Sequence, residues 1–300
     1  MNSLNELITK AQDQPTKTLA VAAPQDKEVL QAVVEAANMG IVRPILIGDI
    51  EETKRIANEL NINIDDYETV QTKDLKESAE VAVKYVSSNK ADFVMKGLID
   101  TSILLKEVLN KEYGLRTDSL LSHVMVYEVP NYHKLLFLTD GGMNISPNEE
   151  QKIKIIKNAV KASRILEKDE IKVAILAAKE KVNEKMQATV DAGNIKQKYL
   201  EGYFEKGVIV EGPMALDLAI SKDAAKIKNY KSPVAGDADI LVVPNIEMGN
   251  GIGKTLTYFA GSLSAGIIMG AKAPVVLVSR ADSHQAKLNS IALGSLISAV

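Results

Sequence analysis

The feature that most constrains the fold is a series of short apolar runs, rich in Val, Ile and Leu and separated by helical patterns. Their apolarity is continuous rather than alternating, which is typical of strands buried on both faces of a sheet. Strands that alternate with helices predict an α/β protein with mostly parallel sheets. We predict nine strands, which begin near Thr18, Arg43, Ala91, Ser122, Lys134, Lys172, Gly207, Ala238 and Pro274.

In two helical patterns, particular residues predict where the helix begins or ends. The pattern that follows Asp26 places apolar residues on one stripe and closes at Gly40, a residue type common just beyond helix C-termini. The pattern in the middle of the chain predicts Ser146 as N-cap and Pro147 at the first helical position.

Nine strands are many for one open sheet. The segment "LTDGGMNISPNEE" near the middle of the chain is the predicted domain boundary. We therefore predict two α/β domains, residues 1–141 with 280–300 and residues 142–279, with an active-site cleft between them. In such sheets ligands bind beyond the carboxyl ends of the strands. The loops that follow strands are thus the places to search for functional residues.

Composition and charge limit the function classes. The net charge of the 300 residues is −3, so no basic surface predicts nucleic acid as a partner. The chain has no cysteine, which excludes disulfides, thiolate metal sites and a cysteine nucleophile. The first residues lack the pattern of a signal peptide, and no apolar run reaches the roughly 18–20 residues that span a bilayer. We expect a cytoplasmic protein with no membrane partner.

Metal binding is not expected either. The three histidines, His123, His133 and His284, show no spacing typical of metal ligands. Asp140 stands beside two glycines in "LTDGGMN", but no second carboxylate lies nearby.

The stretch "MGNGIGKT", residues 248–255, resembles a P-loop without matching one. A P-loop would need a glycine where Met248 stands, and the dinucleotide pattern fails at Lys254. Glycines still let backbone approach a ligand closely, so Lys254 could neutralise a phosphate and Asn250 could donate an amide. The alternative is a glycine-rich turn that caps a helix beginning near Lys254.

The segment "VLVSRADSH" ends the last predicted strand with four polar side chains. The Ser279 hydroxyl could donate to a developing oxyanion, and the Arg280 guanidinium beside it could hold a phosphate through two hydrogen bonds. Asp282 or His284 could accept a proton. The structural alternative is that Arg280 and Asp282 simply pair at the strand end.

A further strand end carries "MKGLIDTSILLKEV". Thr101 or Ser102 is predicted to cap the helix that follows. Lys106 lies about one turn inside that helix, where it could reach an anion at the helix N-terminus or lie in solvent.

Six segments, in order along nearly the whole chain, resemble the phosphate acetyl/butyryltransferase family. They are "KGLIDTSILLKEVLNKEYGLRT", "LSHVMVYEVPNYHKLLFLTDGGMNISPN", "EKVNEKMQATVDAGN", "EGPMALDLAIS", "SPVAGDADILVVPNIEMGN" and "PVVLVSRADSHQAKLNSIALGSL". The resemblance implies a two-domain fold of the isocitrate/isopropylmalate dehydrogenase type and the reaction acyl-CoA + phosphate ⇌ acyl phosphate + CoA. It implies direct transfer in a ternary complex, with CoA as a substrate, no permanently bound cofactor, and a homo-oligomer.

The resemblance also assigns roles to residues. Ser279 would stabilise the tetrahedral oxyanion, and Arg280 would hold the phosphate. Lys106 aligns with an arginine of the acetyl branch and would face the site, while Thr101, Asn250, Lys254 and Asp140 are further expected substrate contacts. The acetyl branch has an aspartate base where this chain has Ala286. Asp282 and His284 are the nearby substitutes, and we favour Asp282.

A second departure is Gly253, which stands where the family tends to have a tyrosine. We expect a more flexible loop or a pocket that lacks one aromatic wall. The length and the "SRADS" form resemble the butyryl branch, so butyryl-CoA is the expected substrate. The alternatives are acetyl-CoA, a non-catalytic protein that binds acyl-CoA or acyl phosphate, and a metal-dependent NAD-linked dehydrogenase on the same fold.

Overall fold

The computed structural model of the chain describes residues 1–279 and 282–299, and these residues form two compact units. The terminal unit comprises Leu4–Ser119 and the chain from Ser264 onward. The central unit comprises Met1–Ser3 and Leu120–Leu263. Each unit is an α/β structure with mostly parallel strands, as the sequence predicts.

Strands and helices alternate along the described chain. The strands are β1 (Lys17–Ala22), β2 (Val42–Gly48), β3 (Glu68–Gln71), β4 (Phe93–Lys96), β5 (Ser122–Glu128), β6 (Leu136–Thr139), β7 (Ile171–Leu176), β8 (Val208–Met214), β9 (Ile240–Val242), β10 (Leu263–Met269) and β11 (Val275–Val276). The helices are α1 (Leu4–Gln12), α2 (Lys27–Asn38), α3 (Ile50–Glu59), α4 (Leu75–Ser87), α5 (Thr101–Val108), α6 (Glu149–Ser163), α7 (Gln187–Leu200), α8 (Leu216–Ile220), α9 (Lys222–Ile227), α10 (Ile246–Tyr258) and α11 (His284–Ile297).

The terminal unit orders its strands β3-β2-β1-β4-β11-β10. All neighbours pair in parallel except β10 and β11, which pair antiparallel. Helix α11 packs against α1 and α2 and is buried along its whole length from Ala286 to Ile297. A helix that is buried on all sides belongs to a core, so α11 is the central helix of this unit.

The central unit orders its strands β5-β6-β9-β7-β8. Strands β5 and β6 form an antiparallel pair, and the remaining neighbours are parallel. One face of α10 contributes Met248, Ile252 and Leu256 to the core, against residues such as Leu138 and Leu241 of the sheet. These three positions recur every fourth residue, which is the spacing of one helix face.

All nine predicted strands are present, and two more were not predicted. Strand β3 has the sequence ETVQ and is largely exposed, so it carries no apolar run that periodicity could find. In β10 only the second half is apolar, and a glycine interrupts it. Periodicity therefore finds the buried strands and misses those with polar sequences.

The predicted helix ends had mixed outcomes. Gly40 has φ 75° and directly follows Met39, the C-cap of α2, which confirms the expected helix end. The predicted N-cap Ser146 was wrong, because Asn148 caps α6. The Asn148 side chain accepts from the Gln151 N–H at 2.9 Å, and the Gln151 side chain accepts from the Asn148 N–H at 2.9 Å. This reciprocal capping box fixes the helix start two residues later than the Ser-Pro signal suggests.

The chain passes from one compact unit to the other between Ser119 and Leu120 and again between Leu263 and Ser264. Both positions precede the predicted domain boundaries, which are at 141/142 and 279/280. Strand pairing explains the difference. Strand β6 pairs with both β5 and β9, so β5 belongs to the central unit and the first boundary lies before β5. Strand β11 pairs with both β10 and β4, so β10 belongs to the terminal unit and the second boundary lies near the start of β10. The boundaries within which either part would fold alone stay a prediction.

Candidate active site

Three parallel strands of the terminal unit end at one edge of its sheet. Ala22 pairs with Lys96, and Met95 pairs with Val276, so β1, β4 and β11 end side by side. The loop after β4 crosses the end of β1 closely, since the Gly97 N–H donates to the Ala22 carbonyl at 2.8 Å. This edge is where ligands are expected in such sheets.

Ser279 and Asp282 form a turn at this edge, just after β11. The Ser279 N–H donates to Oδ2 of Asp282 at 2.8 Å, and the Asp282 N–H donates to the Ser279 carbonyl at 3.1 Å. Ser279 is exposed and Asp282 is half-buried. Arg280, the predicted phosphate ligand, lies outside the described residues. The turn therefore holds a serine and a carboxylate at a fixed separation, as oxyanion stabilisation and proton transfer require.

His284 is the first residue of α11, and its side chain contacts a glutamate of α2. Its Nε2 lies 2.6 Å from Oε2 of Glu35, in the last turn of α2. The imidazole has a second ring nitrogen, Nδ1, so the contact with Glu35 does not exclude His284 as a base. Asp282 as the favoured general base stays a prediction.

Helix α5 carries two further predicted residues. Asp100 is its N-cap residue and makes no side-chain cap hydrogen bond, so the predicted cap at Thr101 or Ser102 was wrong. Thr101 is the half-buried first helical residue, and Lys106 is exposed in the last turn. Among the described residues Lys106 forms no ion pair, which leaves its ammonium available to an anion.

The neighbouring residue Glu107 anchors that end of α5. Glu107 is buried and accepts a hydrogen bond from the Tyr113 hydroxyl. Burial, together with the bond to Glu107, raises the pKa of Tyr113 above its usual value. The hydroxyl therefore keeps its proton at neutral pH and continues to hold the helix end beside Lys106.

Asp140 follows β6 in the central unit and is only 2% exposed. Its Oδ1 accepts the N–H groups of Gly142 and Met143, each at 2.9 Å. Its Oδ2 accepts the His123 N–H at 3.1 Å and two donors of Asn144 at 2.5 and 3.3 Å. With five donors on its two oxygens, the carboxylate organises the loop that follows β6. Its predicted role as a substrate contact stays a prediction.

The stretch "MGNGIGKT" lies inside α10 rather than in a loop. Asn245 caps this helix, since its side chain accepts from the Met248 N–H at 3.0 Å. The predicted glycine-rich loop and a helix start near Lys254 were therefore wrong. The cap and the apolar face of α10 outweigh the helix-weakening effect of the glycines, roughly 1 kcal/mol each relative to alanine.

Two of these glycines allow close packing within the central unit. A Cβ on Gly249 would lie 2.6 Å from Cα of Gly141, so Gly249 lets α10 approach the Asp140 loop. A Cβ on Gly253 would lie 2.6 Å from the Tyr127 hydroxyl oxygen. Gly253 is buried and helical, so the expected flexible loop was wrong. The Tyr127 hydroxyl occupies the space beside position 253.

Asn250 and Lys254 lie on the outer side of α10. Both are exposed, and Nζ of Lys254 lies 5.9 Å from the centre of the Tyr258 ring. Their accessibility is consistent with ligand contacts, and their role stays a prediction.

Lys287 and Glu35 are notable residues that sequence reasoning missed. Lys287 is 2% exposed, and its ammonium donates to the Asp282 carbonyl oxygen. Its signal was a single charge that opens the otherwise uncharged stretch "KLNSIALGSLIS". Glu35 gave no signal, because a glutamate on an amphipathic helix is ordinary and its partner lies far along the chain.

Neither a membrane-spanning helix nor a metal cluster occurs within residues 1–279 and 282–299. In that part of the chain no helix combines the length and apolarity needed to cross a membrane. No group of three or more His, Asp or Glu side chains is placed there to hold a metal ion.

Comparisons with known proteins extend over nearly the whole chain. The family model described as phosphate acetyl/butaryl transferase matches residues 3–87 and 72–295. A phosphate butyryltransferase of Clostridium acetobutylicum is 46% identical over 297 residues, covering 99% of this chain and 98% of that protein. The crystal structure of a branched-chain phosphotransacylase from Enterococcus faecalis superposes with a TM-score of 0.83 at 35% identity, covering 94% of this chain and 99% of that one.

A more distant structure shows the fold alone. The 4-hydroxythreonine-4-phosphate dehydrogenase from Burkholderia phymatum is 14% identical and has a TM-score of 0.53, over 95% of this chain and 99% of that one. The dehydrogenase-like fold expected from the sequence is thus confirmed.

Proposed function

The chain belongs to the phosphate acetyl/butyryl transferase family, and on that premise we propose that it converts acyl-CoA and inorganic phosphate into acyl phosphate and CoA. Butyryl-CoA is the proposed preferred substrate. Within the structure, the observation that carries the proposal is the Ser279–Asp282 turn at the carboxyl edge of the terminal unit's sheet. It brings together a serine and a carboxylate, the residue types proposed here as oxyanion donor and general base.

In the direction of CoA acylation, Asp282 takes the proton of the CoA thiol. The thiolate sulfur then attacks the carbonyl carbon of the acyl phosphate and forms the new C–S bond. Negative charge develops on the carbonyl oxygen, where the Ser279 hydroxyl donates a hydrogen bond. The C–O bond to phosphorus then breaks, and phosphate leaves with its charge held by Arg280.

The reverse direction uses the same groups. A phosphate oxygen attacks the thioester carbonyl, the C–S bond breaks, and the CoA thiolate recovers its proton from Asp282. Lys106 and Thr101 are proposed to contact substrate phosphate groups from α5, and Lys254 and Asn250 to contact substrate from α10.

The proposed partners are therefore acyl-CoA, CoA, inorganic phosphate and acyl phosphate, with no permanently bound cofactor. We also propose a cytoplasmic homo-oligomer, which light scattering on the purified protein would test. A monomer at micromolar concentration would contradict that part of the proposal.

The reaction is tested by incubating the protein with an acyl-CoA, with and without phosphate, and measuring free thiol with a chromogenic reagent. Because the chain has no cysteine, every thiol detected comes from CoA. Phosphate-dependent release that is fastest with butyryl-CoA supports the proposal. Faster release with acetyl-CoA would move the specificity to the acetyl branch.

Failure to release CoA from acetyl-, propionyl-, butyryl- and isobutyryl-CoA would overturn the reaction itself. Ser279→Ala is the matched variant, since it removes one hydroxyl and leaves the backbone donor of the turn in place. Loss of one oxyanion donor typically lowers kcat by about 100-fold to 1,000-fold.

A further inference from the structure

The terminal unit buries the ammonium of Lys287. Lys287 lies in the first turn of α11 and is 2% exposed. Among the described residues it forms no ion pair, and it donates to a backbone oxygen, the carbonyl of Asp282. Burying a cation without a carboxylate is costly, and an apolar side chain of similar volume is often as stable or more so.

Lys152 of the central unit shows the ordinary alternative. It is 4% exposed, and its Nζ lies 2.6 Å from Oδ2 of Asp191. The other oxygen of Asp191 accepts from Gln187 at 2.7 Å. The Lys152 charge is compensated by a buried carboxylate, whereas the Lys287 charge is directed at one point of the Ser279–Asp282 turn.

We propose that Lys287 is a positioning residue for acyl transfer: its ammonium ties the Asp282 backbone to the rigid core helix α11. This inference rests on the proposed function, because it assumes that the turn does the chemistry. The turn's own two bonds join Ser279 to Asp282. Lys287 adds a bond from the core helix to the Asp282 carbonyl.

The attachment acts together with the helix cap. Ser283 caps α11 by accepting from the Ala286 N–H at 3.3 Å, and its carbonyl accepts the Lys287 N–H at 3.1 Å. The residue next to Asp282 is thus fixed by the helix, and Asp282 itself by the lysine side chain. Misplacement of a reacting group by about 1 Å can lower the rate by about 100-fold, so this attachment has a kinetic consequence.

The test is Lys287→Met, which keeps the length and apolar stem and removes the ammonium. We expect kcat for phosphate-dependent CoA release from butyryl-CoA to fall by about 10-fold to 100-fold. The KM values for butyryl-CoA and phosphate should stay within about threefold, and the melting temperature within a few degrees, because no ion pair is lost.

The lack of cysteine allows a charge-specific rescue. Lys287→Cys, alkylated with 2-bromoethylamine while unfolded and then refolded, carries an ammonium at nearly the lysine position. The same variant alkylated with iodoacetamide is neutral. Recovery of kcat with the first reagent and not with the second supports the proposal, and wild-type protein carried through both treatments is the control.

Asn289→Ala controls for damage to α11. Asn289 is 1% exposed on the same helix and donates to the Ser264 carbonyl at 3.2 Å, with no bond to the turn. It should lower stability and leave kcat of the folded protein within about twofold. If Lys287→Met does not fold, Lys287→Gln takes its place in the same assay.

Unchanged kcat in a folded Lys287 variant, or a loss that follows the unfolded fraction as in Asn289→Ala, would overturn the inference. Recovery with both alkylating reagents would do so too, because the charge would then be irrelevant. Absence of activity in the wild-type protein would instead count against the proposed function.

Discussion

Two aspartates that follow strand ends, Asp140 in the central unit and Asp282 in the terminal unit, are used differently. Asp140 is 2% exposed and accepts five donors from its own loop and from β5. Asp282 is half-buried, and among the described residues its carboxylate accepts one donor, the Ser279 N–H. The first carboxylate holds its own loop together, whereas the second carries little of the structure around it.

The difference lies in the number of donors on each carboxylate rather than in residue type or sequence position. An ionised carboxylate has about four lone-pair sites, and those of Asp140 are taken. A carboxylate whose acceptor sites are all filled by donors of the fold is a strong structural anchor. Within the described residues, by contrast, the Asp282 carboxylate accepts the Ser279 N–H alone, and Ser279 is exposed.

The largest effect expected from this comparison is in Asp282→Asn. The amide oxygen can still accept the Ser279 N–H, so the turn should persist, but the side chain can no longer take a proton. Loss of a general base lowers the rate by about 100-fold to 10,000-fold. The measurement is kcat for phosphate-dependent CoA release, with the melting temperature as a check on folding.

His284→Gln is the matched variant for that prediction. With Asp282 as the base, this variant loses only the pair with Glu35, so we expect kcat to fall by less than about threefold. If His284→Gln loses as much activity as Asp282→Asn, the assignment of the base is wrong.

Asp140→Asn should instead reduce stability. The amide nitrogen cannot accept the N–H groups that now bind the carboxylate, so buried donors are left unsatisfied. We expect the free energy of unfolding to fall by about 2–4 kcal/mol, measured by urea denaturation. Asp65→Asn, at an exposed position, should change it by less than about 0.5 kcal/mol. Equal effects of the two variants would show that the donors on Asp140 add little.

How far the sequence predicts these roles depends on what local pattern can encode. Continuous apolar runs gave the buried strands, and the strand-end rule pointed to both aspartates. The donors on Asp140 include the His123 N–H, and the partner of His284 is Glu35 on α2. Such contacts depend on tertiary packing and leave no local spacing to read.

The glycines of α10 give a second example of a structure that local sequence does not predict. Their local pattern predicts a loop, yet the Asn245 cap and the apolar face of the helix prevail. Propensity is a weak signal that tertiary packing overrides, and close packing against Gly141 becomes visible only in three dimensions.

A smaller effect is expected where α10 meets the Asp140 loop. In Gly249→Ala the new Cβ would lie 2.6 Å from Cα of Gly141 and 2.9 Å from the Asp140 carbonyl oxygen. Both are backbone atoms, so the helix or the loop must shift, at about 1–3 kcal/mol of unfolding free energy. In the control Gly251→Ala the Cβ meets nothing within 4 Å. That variant should gain roughly 0.5–1 kcal/mol from helix propensity. Two variants that both stabilise would disprove the close contact.

The smallest effect concerns a third aspartate, Asp237, which precedes β9 in the central unit. Its Oδ1 accepts Lys134 at 2.9 Å and His133 at 2.7 Å, and its Oδ2 accepts Lys172 at 2.5 Å. Burial alone would raise the pKa of Asp237, but the bonds from Lys172, Lys134 and His133 hold it well below the usual 3.8. Like Asp140 this carboxylate is an anchor, but its donors are two lysines and a histidine rather than mainly backbone N–H groups.

The sign of the pH dependence follows from that lowered pKa. Because the folded protein binds the proton of Asp237 more weakly than the unfolded chain does, this anchor stabilises fully above the unfolded pKa and loses its effect as the pH falls. The difference in unfolding free energy between wild type and Asp237→Asn should therefore shrink from about pH 5 to about pH 2. Urea denaturation at a series of pH values measures it. A difference that stays constant over that range would mean that the charge of the Asp237 carboxylate does not anchor the strand.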